Sequence, residues 1–453
     1  VKKMGRFLCS LVTVMVLITN IAFADDFVKN EEFFNAVKNY ITKNYAGEIT
    51  DDELYDAAIK GMFEKLDKHS MYMDKETKES FSQSVSGKMF GIGALINAKD
   101  GKLKIVEPIE DSPAQKAGLM PGDIIVAIED ERLGEIKDIR EVIDKIKGEK
   151  GTNVNLTISR SGKEFKVDIK RDEIKIKSVK YRVIEGDIGY IKISQFTTDV
   201  ADEVQVAVDK LREQGIKKAV LDLRGNPGGS LSAVVEVSKH FVPKGKVVIV
   251  RDAKDKVINH YSKGEVAFDK LTVLVDENSA SASELLSGAI QDTKSGTLIG
   301  KTTYGKGTVQ TVLPLKNGEG IKLTIAKYYL PSDRSIDGTG VTPDIDCDRF
   351  DIDVDKLMEL NKEMKLSKGD AGLEVLAVQE RLGAMGYDIN DPKGIYQDST
   401  FKAVEKFQAD NGLYGYGVAD VTTLNKINEE FVKFMTSDKM DKQLKKSIEI
   451  LNK

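Results

Sequence analysis

Thr272-Val-Leu-Val-Asp-Glu-Asn-Ser-Ala-Ser-Ala-Ser-Glu284 runs from a short apolar segment through three alternating serines into a stretch that reads as a helix start. Four to eight apolar residues followed by turn formers read as a buried strand, so the segment is a strand-to-helix elbow. A serine at such an elbow is presented at the mouth of a sheet. The next backbone amide, that of Ala282, stands at a helix N-terminus, where the dipole favours a developing oxyanion. Ser281 and Glu284 also spell the S-x-x-E capping box. Capping and nucleophilic catalysis are compatible, so other residues must decide between them.

Around the elbow, residues 174–346 alternate strands and helices: Ile188 to Ile193, a helix near Val200 to Glu213, strand Ala219 to Leu223, a helix after Gly229, strand Leu271 to Val275 and a helix from Ala282. Alternation of this kind predicts an α/β layer fold with reactive groups at strand ends. Strand Ala219 to Leu223 leads into Asp222-Leu-Arg-Gly-Asn-Pro-Gly-Gly229, a glycine-rich turn able to aim amide groups into a concavity or to serve as an ordinary strand-helix connection. It is too short for a phosphate-binding G-x-x-x-x-G-K-[ST] loop.

A serine nucleophile needs a base, and the chain has three histidines: His69 in a helical arm, His240 near the end of an amphipathic helix and His260 in a polar loop. None has a catalytic setting, so a serine-histidine pair is disfavoured. A desolvated lysine is the alternative, because burial penalises the ammonium form. Lys306 in Gly305-Lys-Gly-Thr-Val-Gln310 is the candidate. An ordinary lysine pKa near 10.4 leaves roughly one neutral amine per thousand at pH 7, and lowering it to about 7–8 costs on the order of 4 kcal/mol. Gly305 and Gly307 would let the backbone pack closely round the amine. The competing reading is a solvated lysine in a glycine turn.

The flanks have other textures. The first 24 residues read as a secretory leader: Lys2, Lys3 and Arg6, then an apolar stretch Phe7 to Ile21, then Ala22-Phe23-Ala24. Cleavage would start the mature chain at Asp25; an uncleaved leader would act as an anchor. Cys9 would leave with the leader, and Cys347 would remain as a single thiol with no internal disulfide partner. Residues 25–85 form a helical N-terminal region, 86–172 a β-rich domain with a helix Ile136 to Lys147, 173–350 the α/β core, 362–432 a small helical domain and 433–453 a lysine-rich amphipathic tail. At 453 residues, with 31% charged residues and a net charge of -5, the chain is an ordinary multidomain globular protein without a basic nucleic-acid footprint. Clustered metal-ligand spacing is likewise lacking in the sequence, and no metal or organic cofactor is expected.

Taken together, Asp222-Leu-Arg-Gly-Asn-Pro-Gly-Gly229, Ser279-Ala-Ser-Ala-Ser-Glu284 and Tyr304-Gly-Lys-Gly-Thr-Val-Gln310 closely resemble the core motifs of the carboxy-terminal processing (tail-specific) serine peptidases. Leu66-Asp-Lys-His-Ser-Met-Tyr72 is near a further pattern of that family, with Lys68 where proline is usual. The resemblance implies a crotonase/ClpP-like α/β protease core. It implies Ser281 as nucleophile, Lys306 as general base, Gln310 as its support, and oxyanion donors at Ala282 and at Gly228 or Gly229. Phe90-Gly91-Ile92-Gly93 and Asp111-Ser-Pro-Ala-Gln-Lys-Ala-Gly-Leu-Met-Pro-Gly-Asp123 look like a PDZ domain, a fold that takes a peptide C-terminus by strand addition. Arg160 would either link that domain to the protease or be a solvated turn residue.

Residues 366–428 resemble a peptidoglycan-binding module, with a structural or dimer-forming helical unit as the other reading. The implied function is an exported serine endopeptidase acting on polypeptides with free, apolar C-termini, with peptidoglycan as a further partner and a homodimer as an expected state. A noncatalytic tail-binding or cell-wall adaptor, and an acyl-CoA enzyme of related α/β fold, are the alternatives.

Overall fold

The computed structural model describes residues 30–99, 101–134, 136, 139–350 and 357–453, so the leader expected at 1–24, with Cys9, lies outside the described residues. The chain divides into two compact units, residues 1–72 and 73–453. In the first, helices Glu31–Asn44 and Asp51–Phe63 are capped by Asn30 and Thr50, and the second carries a full capping box with Glu53. Lys38 of one helix pairs with Asp51 of the other. His69, expected on a helix, lies in a turn: the Asp67 carboxylate accepts from His69 N at 2.9 Å and Ser70 Oγ at 2.8 Å. Such local side-chain bonds compete with helix formation.

In the second unit, strands Ala94–Lys99, Lys102–Pro108, Ile124–Ile128, Asn153–Arg160 and Lys163–Lys170 form an antiparallel sheet in the order written, with Ala94–Lys99 at one edge. Its alternating inward residues Leu103, Ile105, Val154, Leu156 and Ile158 are buried with Ile146 of helix Ile139–Ile146. Among the described residues that helix covers Ile139–Ile146, within the Ile136 to Lys147 expected from sequence; residues 135, 137 and 138 lie outside the described set.

The α/β core is a six-stranded sheet: Val179–Ile184 runs antiparallel to Ile188–Ile193, which is followed by parallel Lys218–Asp222, Lys270–Val275, Thr297–Gly300 and Ile345–Asp346. Successive strand residues face opposite ways. Ile191, Ala219, Leu221, Val273, Val275 and Leu298 pack with helices Val200–Glu213, Leu231–Ser238 and Ala282–Asp292. Ile188, Tyr190, Val220, Leu274 and Ile299 face the other way, against Leu444 and Leu451 of the last helix, Lys442–Leu451. A second antiparallel sheet contains Gly245–Asp252, Val257–Ser262, Thr308–Pro314 and Gly320–Tyr329. His260, expected in a loop, is on Val257–Ser262 opposite Val248, where Val257, Ile258 and Tyr261 supply β-favouring neighbours. Helices Leu373–Ala384, Asp398–Asp410 and Val421–Thr436 enclose a separate core of Val375, Val378, Leu382, Val404 and Phe407.

Candidate active site

Strand Lys270–Val275 ends at the serine run, and the elbow helix begins at Ala282. The hydroxyls of the run are not equivalent. Ser279 Oγ donates to Leu223 O at 2.9 Å and Ser283 Oγ to Asn226 O at 2.9 Å, both fully buried, so these two pin the elbow to the Asp222–Gly229 turn. Ala280 N adds a third tie, to Asn226 O at 3.0 Å. Ser281 sits between them with φ 54° and ψ -113°. A non-glycine residue held in such a region costs of order 1–3 kcal/mol and persists only where its surroundings impose it.

Lys306 is the second element. Desolvation by the surrounding protein pushes its pKa below the ordinary lysine value; the nearby Lys322 charge lowers it further, and Glu284 opposes the shift. The flanking glycines explain the enclosure. A Cβ on Gly307 would lie 2.6 Å from Asp337, while Gly305 O accepts from Gly338 N and Gly307 O from Tyr328 N.

Glu284 joins the two elements, and sequence reasoning saw it only as a capping residue. Its fully buried carboxylate accepts from Ser281 N at 2.7 Å and Lys306 N at 2.8 Å on one oxygen, and from Thr303 Oγ1 at 2.6 Å and Gly305 N at 2.7 Å on the other. Ser281 and Lys306 are therefore neighbours through a shared acceptor, although their side chains are not hydrogen-bonded to one another in this structure. Catalytic hydrogen bonds are often long in unliganded enzymes and tighten when substrate is bound.

Gly228, at φ 100°, presses against this site, and Gly229, at φ 143°, packs on Phe196. A Cβ on Gly228 would lie 2.8 Å from Ser281 Cβ, and one on Gly229 2.2 Å from Phe196 O. The Gly228 amide is taken by Asn226 Oδ1 at 2.9 Å, which leaves Gly229 as the glycine with an amide to offer. Gln310 Nε2 donates to Thr308 Oγ1 at 2.7 Å and Thr324 Oγ1 at 3.4 Å, with no bond to Lys306. His240 is buried and its pKa is depressed to about 4 by desolvation, so it is neutral at pH 7; its ring lies beside Phe241, not the elbow.

In the β-rich domain, Phe90 is exposed and Ile92 buried, and Gly93, at φ 75°, packs on Ser112. The Ile92 and Gly93 carbonyls accept from Ala114 N and Ile109 N, placing Phe90–Gly93 directly before the edge strand Ala94–Lys99. Arg160 makes two bonds to the buried Asp123 carboxylate, at 2.7 and 2.8 Å, and a third to Gly118 O. The same guanidinium holds the Asp123 carboxyl below its usual range.

The sequence matches a peptidase family S41 model over residues 187–347, a PDZ domain model over 104–160, a peptidoglycan binding domain model over 371–427 and an activating protease CtpB N-terminal domain model over 23–77. It is 34% identical over 423 residues to carboxy-terminal processing protease CtpA of Bacillus subtilis, covering 92% of this chain and 90% of the relative. It is 35% identical over 419 residues to carboxy-terminal processing protease CtpB of the same organism, at 91% and 87% coverage. With a carboxy-terminal-processing protease of Bartonella bacilliformis it shares 38% identity over 350 residues, at 75% and 80% coverage. Fold and matches together define a serine-type peptidase that carries a PDZ domain and a peptidoglycan-binding domain. More closely, the chain belongs to peptidase family S41, among the carboxy-terminal processing proteases.

Proposed function

We propose that the chain is an exported endopeptidase in which Ser281 attacks the scissile carbonyl and Lys306 moves the proton. The observation that carries this reading is the unequal use of the serine run: Ser279 and Ser283 are tied down, while strained Ser281 shares a carboxylate with the desolvated Lys306 segment. Neutral Lys306 Nζ takes the Ser281 Oγ proton as Oγ bonds to the carbonyl carbon. The amides of Ala282 and Gly229 receive the oxyanion. The resulting ammonium returns the proton to the leaving amine as the C–N bond breaks, and water releases the acyl group by the same steps. Gln310, on a strand following the lysine, would orient Lys306 once substrate is bound.

Substrate is delivered by its C-terminus. The segment Phe90–Gly93 with the open edge of Ala94–Lys99 suits a carboxylate cradle with strand addition, and apolar end residues are the preferred class. Arg160 would have to release Asp123 before signalling to the core. The helical domain is assigned to peptidoglycan, and dimerisation to the amphipathic N-terminal helix, where Phe34, Val37 and Tyr40 are exposed; the apolar face of the last helix is taken by the sheet. Incubating the full chain and its Ser281→Ala variant with a denatured polypeptide ending in apolar residues, with products identified by mass spectrometry, tests the reading. Wild-type fragments absent from the variant are expected; equal cleavage by both would remove Ser281 as nucleophile.

A further inference from the structure

The last helix lies on the far face of the sheet, yet the residues at its start bond to the turn that meets the nucleophile elbow. Asp222 closes the central strand Lys218–Asp222 and is fully buried. Arg224, two residues on, donates Nε to Asp222 Oδ1 at 2.9 Å and Nη2 to Oδ2 at 2.7 Å. Tyr190 Oη adds a bond to Oδ2 at 2.5 Å. Burial opposes both charges, yet the pair holds the Asp222 pKa down and the Arg224 pKa up. The remaining guanidinium nitrogen, Nη1, points into the tail, to Asp441 Oδ1 at 2.9 Å and Gln443 Oε1 at 2.9 Å. Asp441 also caps the last helix through Leu444 N at 2.9 Å, and Gln443 Nε2 holds Cys347 O at 2.8 Å.

Arg224 is followed directly by Gly225-Asn226-Pro227-Gly228-Gly229. Asn226 O receives Ala280 N and Ser283 Oγ, and Asn226 Oδ1 receives Gly228 N. The guanidinium therefore anchors the N-terminal end of the turn that meets the nucleophile elbow. Two of its three bonding edges are fixed within the turn's own strand, and the third depends on residues 217 and 219 positions further along the chain. We infer that Asp441 is a positioning residue for the peptidase reaction, holding Arg224 and through it the Asp222–Gly229 turn in the geometry that packs Gly228 on Ser281 and offers the next amide, that of Gly229, to the oxyanion. This rests on the Ser281 and Gly229 roles proposed above.

The test compares steady-state cleavage of one peptide by wild type, Asp441→Ala, Asp441→Asn, Leu444→Ala and Ser281→Ala full-length chains, with the folded fraction measured by thermal denaturation. Asp441→Ala should lower kcat per folded molecule about tenfold to hundredfold, the scale of a compromised oxyanion donor, with KM within about twofold. Asp441→Asn keeps an oxygen acceptor for Arg224 and a good helix cap, and should restore kcat to within about threefold of wild type. Leu444→Ala empties a buried site in the same helix without touching Arg224; its melting temperature should fall while kcat per folded molecule holds. A normal kcat in Asp441→Ala, or an equal loss in Leu444→Ala, would overturn the positioning role. Ser281→Ala separates the claims: surviving turnover removes the nucleophile assignment, whereas an inert Ser281→Ala beside a fully active Asp441→Ala removes the positioning role alone.

Discussion

Replacing Glu284 with glutamine changes one atom in the site and should damage both of its halves. The carboxylate accepts four hydrogen bonds, two on each oxygen, and is fully buried. An amide keeps one accepting oxygen and places an NH2 group against two donors. Whichever way it turns, two bonds are lost, either those of Ser281 N and Lys306 N or those of Thr303 Oγ1 and Gly305 N. Each buried donor left without an acceptor costs about 1–3 kcal/mol, so the variant should lose roughly 2–6 kcal/mol of stability. The first orientation releases the elbow and the lysine segment from their common acceptor, which should reduce kcat in the folded fraction about a hundredfold, since misplacement of an ångström is worth that much. Urea unfolding followed by intrinsic fluorescence gives the stability, and peptide turnover below the transition gives kcat. A Glu284→Gln chain within 1 kcal/mol and twofold of wild type would refute the idea that this carboxylate organises the site.

Because the folded Lys306 pKa is lowered from 10.5 by desolvation, the native state sheds that proton at a lower pH than the unfolded chain. Turnover should rise with pH through the lowered value, and stability should also rise between that value and 10.5, where the unfolded state binds more protons. Lys306→Met should abolish turnover and remove that alkaline gain; an unchanged stability profile would contradict burial of a titrating amine. Gly229→Ala would need both a strained φ of 143° and a Cβ 2.2 Å from Phe196 O, so it should destabilise the core by more than about 2 kcal/mol and cut kcat at least tenfold. A soluble, fully active Gly229→Ala chain would show that the turn is not the tight support described.

The elbow was legible because Thr272 to Val275 is unbroken apolar strand and the helix start at Ala282 follows from the serine run; helix Val200–Glu213 was equally clear from its spacing. Glu284 was legible as a cap but not as a hub, since Thr303 and Gly305 are 19 and 21 residues away and only the fold brings them to it. The cover on the sheet's second face was half-visible. Leu271, Val273 and Val275 alternate with Leu274, so both faces of that strand are apolar, which signals burial on both sides; nothing in the sequence says that Leu444 and Leu451 supply one of them. The Asn226 side-chain bond that occupies the Gly228 amide could not be read from composition. His69, within the helical arm, lies in an aspartate turn, and His260 lies on a strand and not in a loop, because a local carboxylate bond and cross-strand pairing outweigh local propensity.

The late position of Lys442–Leu451 in the chain has a consequence for biosynthesis. Strands Ile188–Ile193, Lys218–Asp222 and Lys270–Val275 emerge from the ribosome long before the helix that covers Tyr190, Val220 and Leu274. Until it follows, that side of the nascent sheet is bare hydrocarbon and Arg224 lacks its outer acceptors. A translation product that stopped before Lys442 would therefore carry the Tyr190, Val220 and Leu274 face without Leu444 and Leu451, a surface prone to stick to other apolar surfaces, and Arg224 without Asp441 and Gln443.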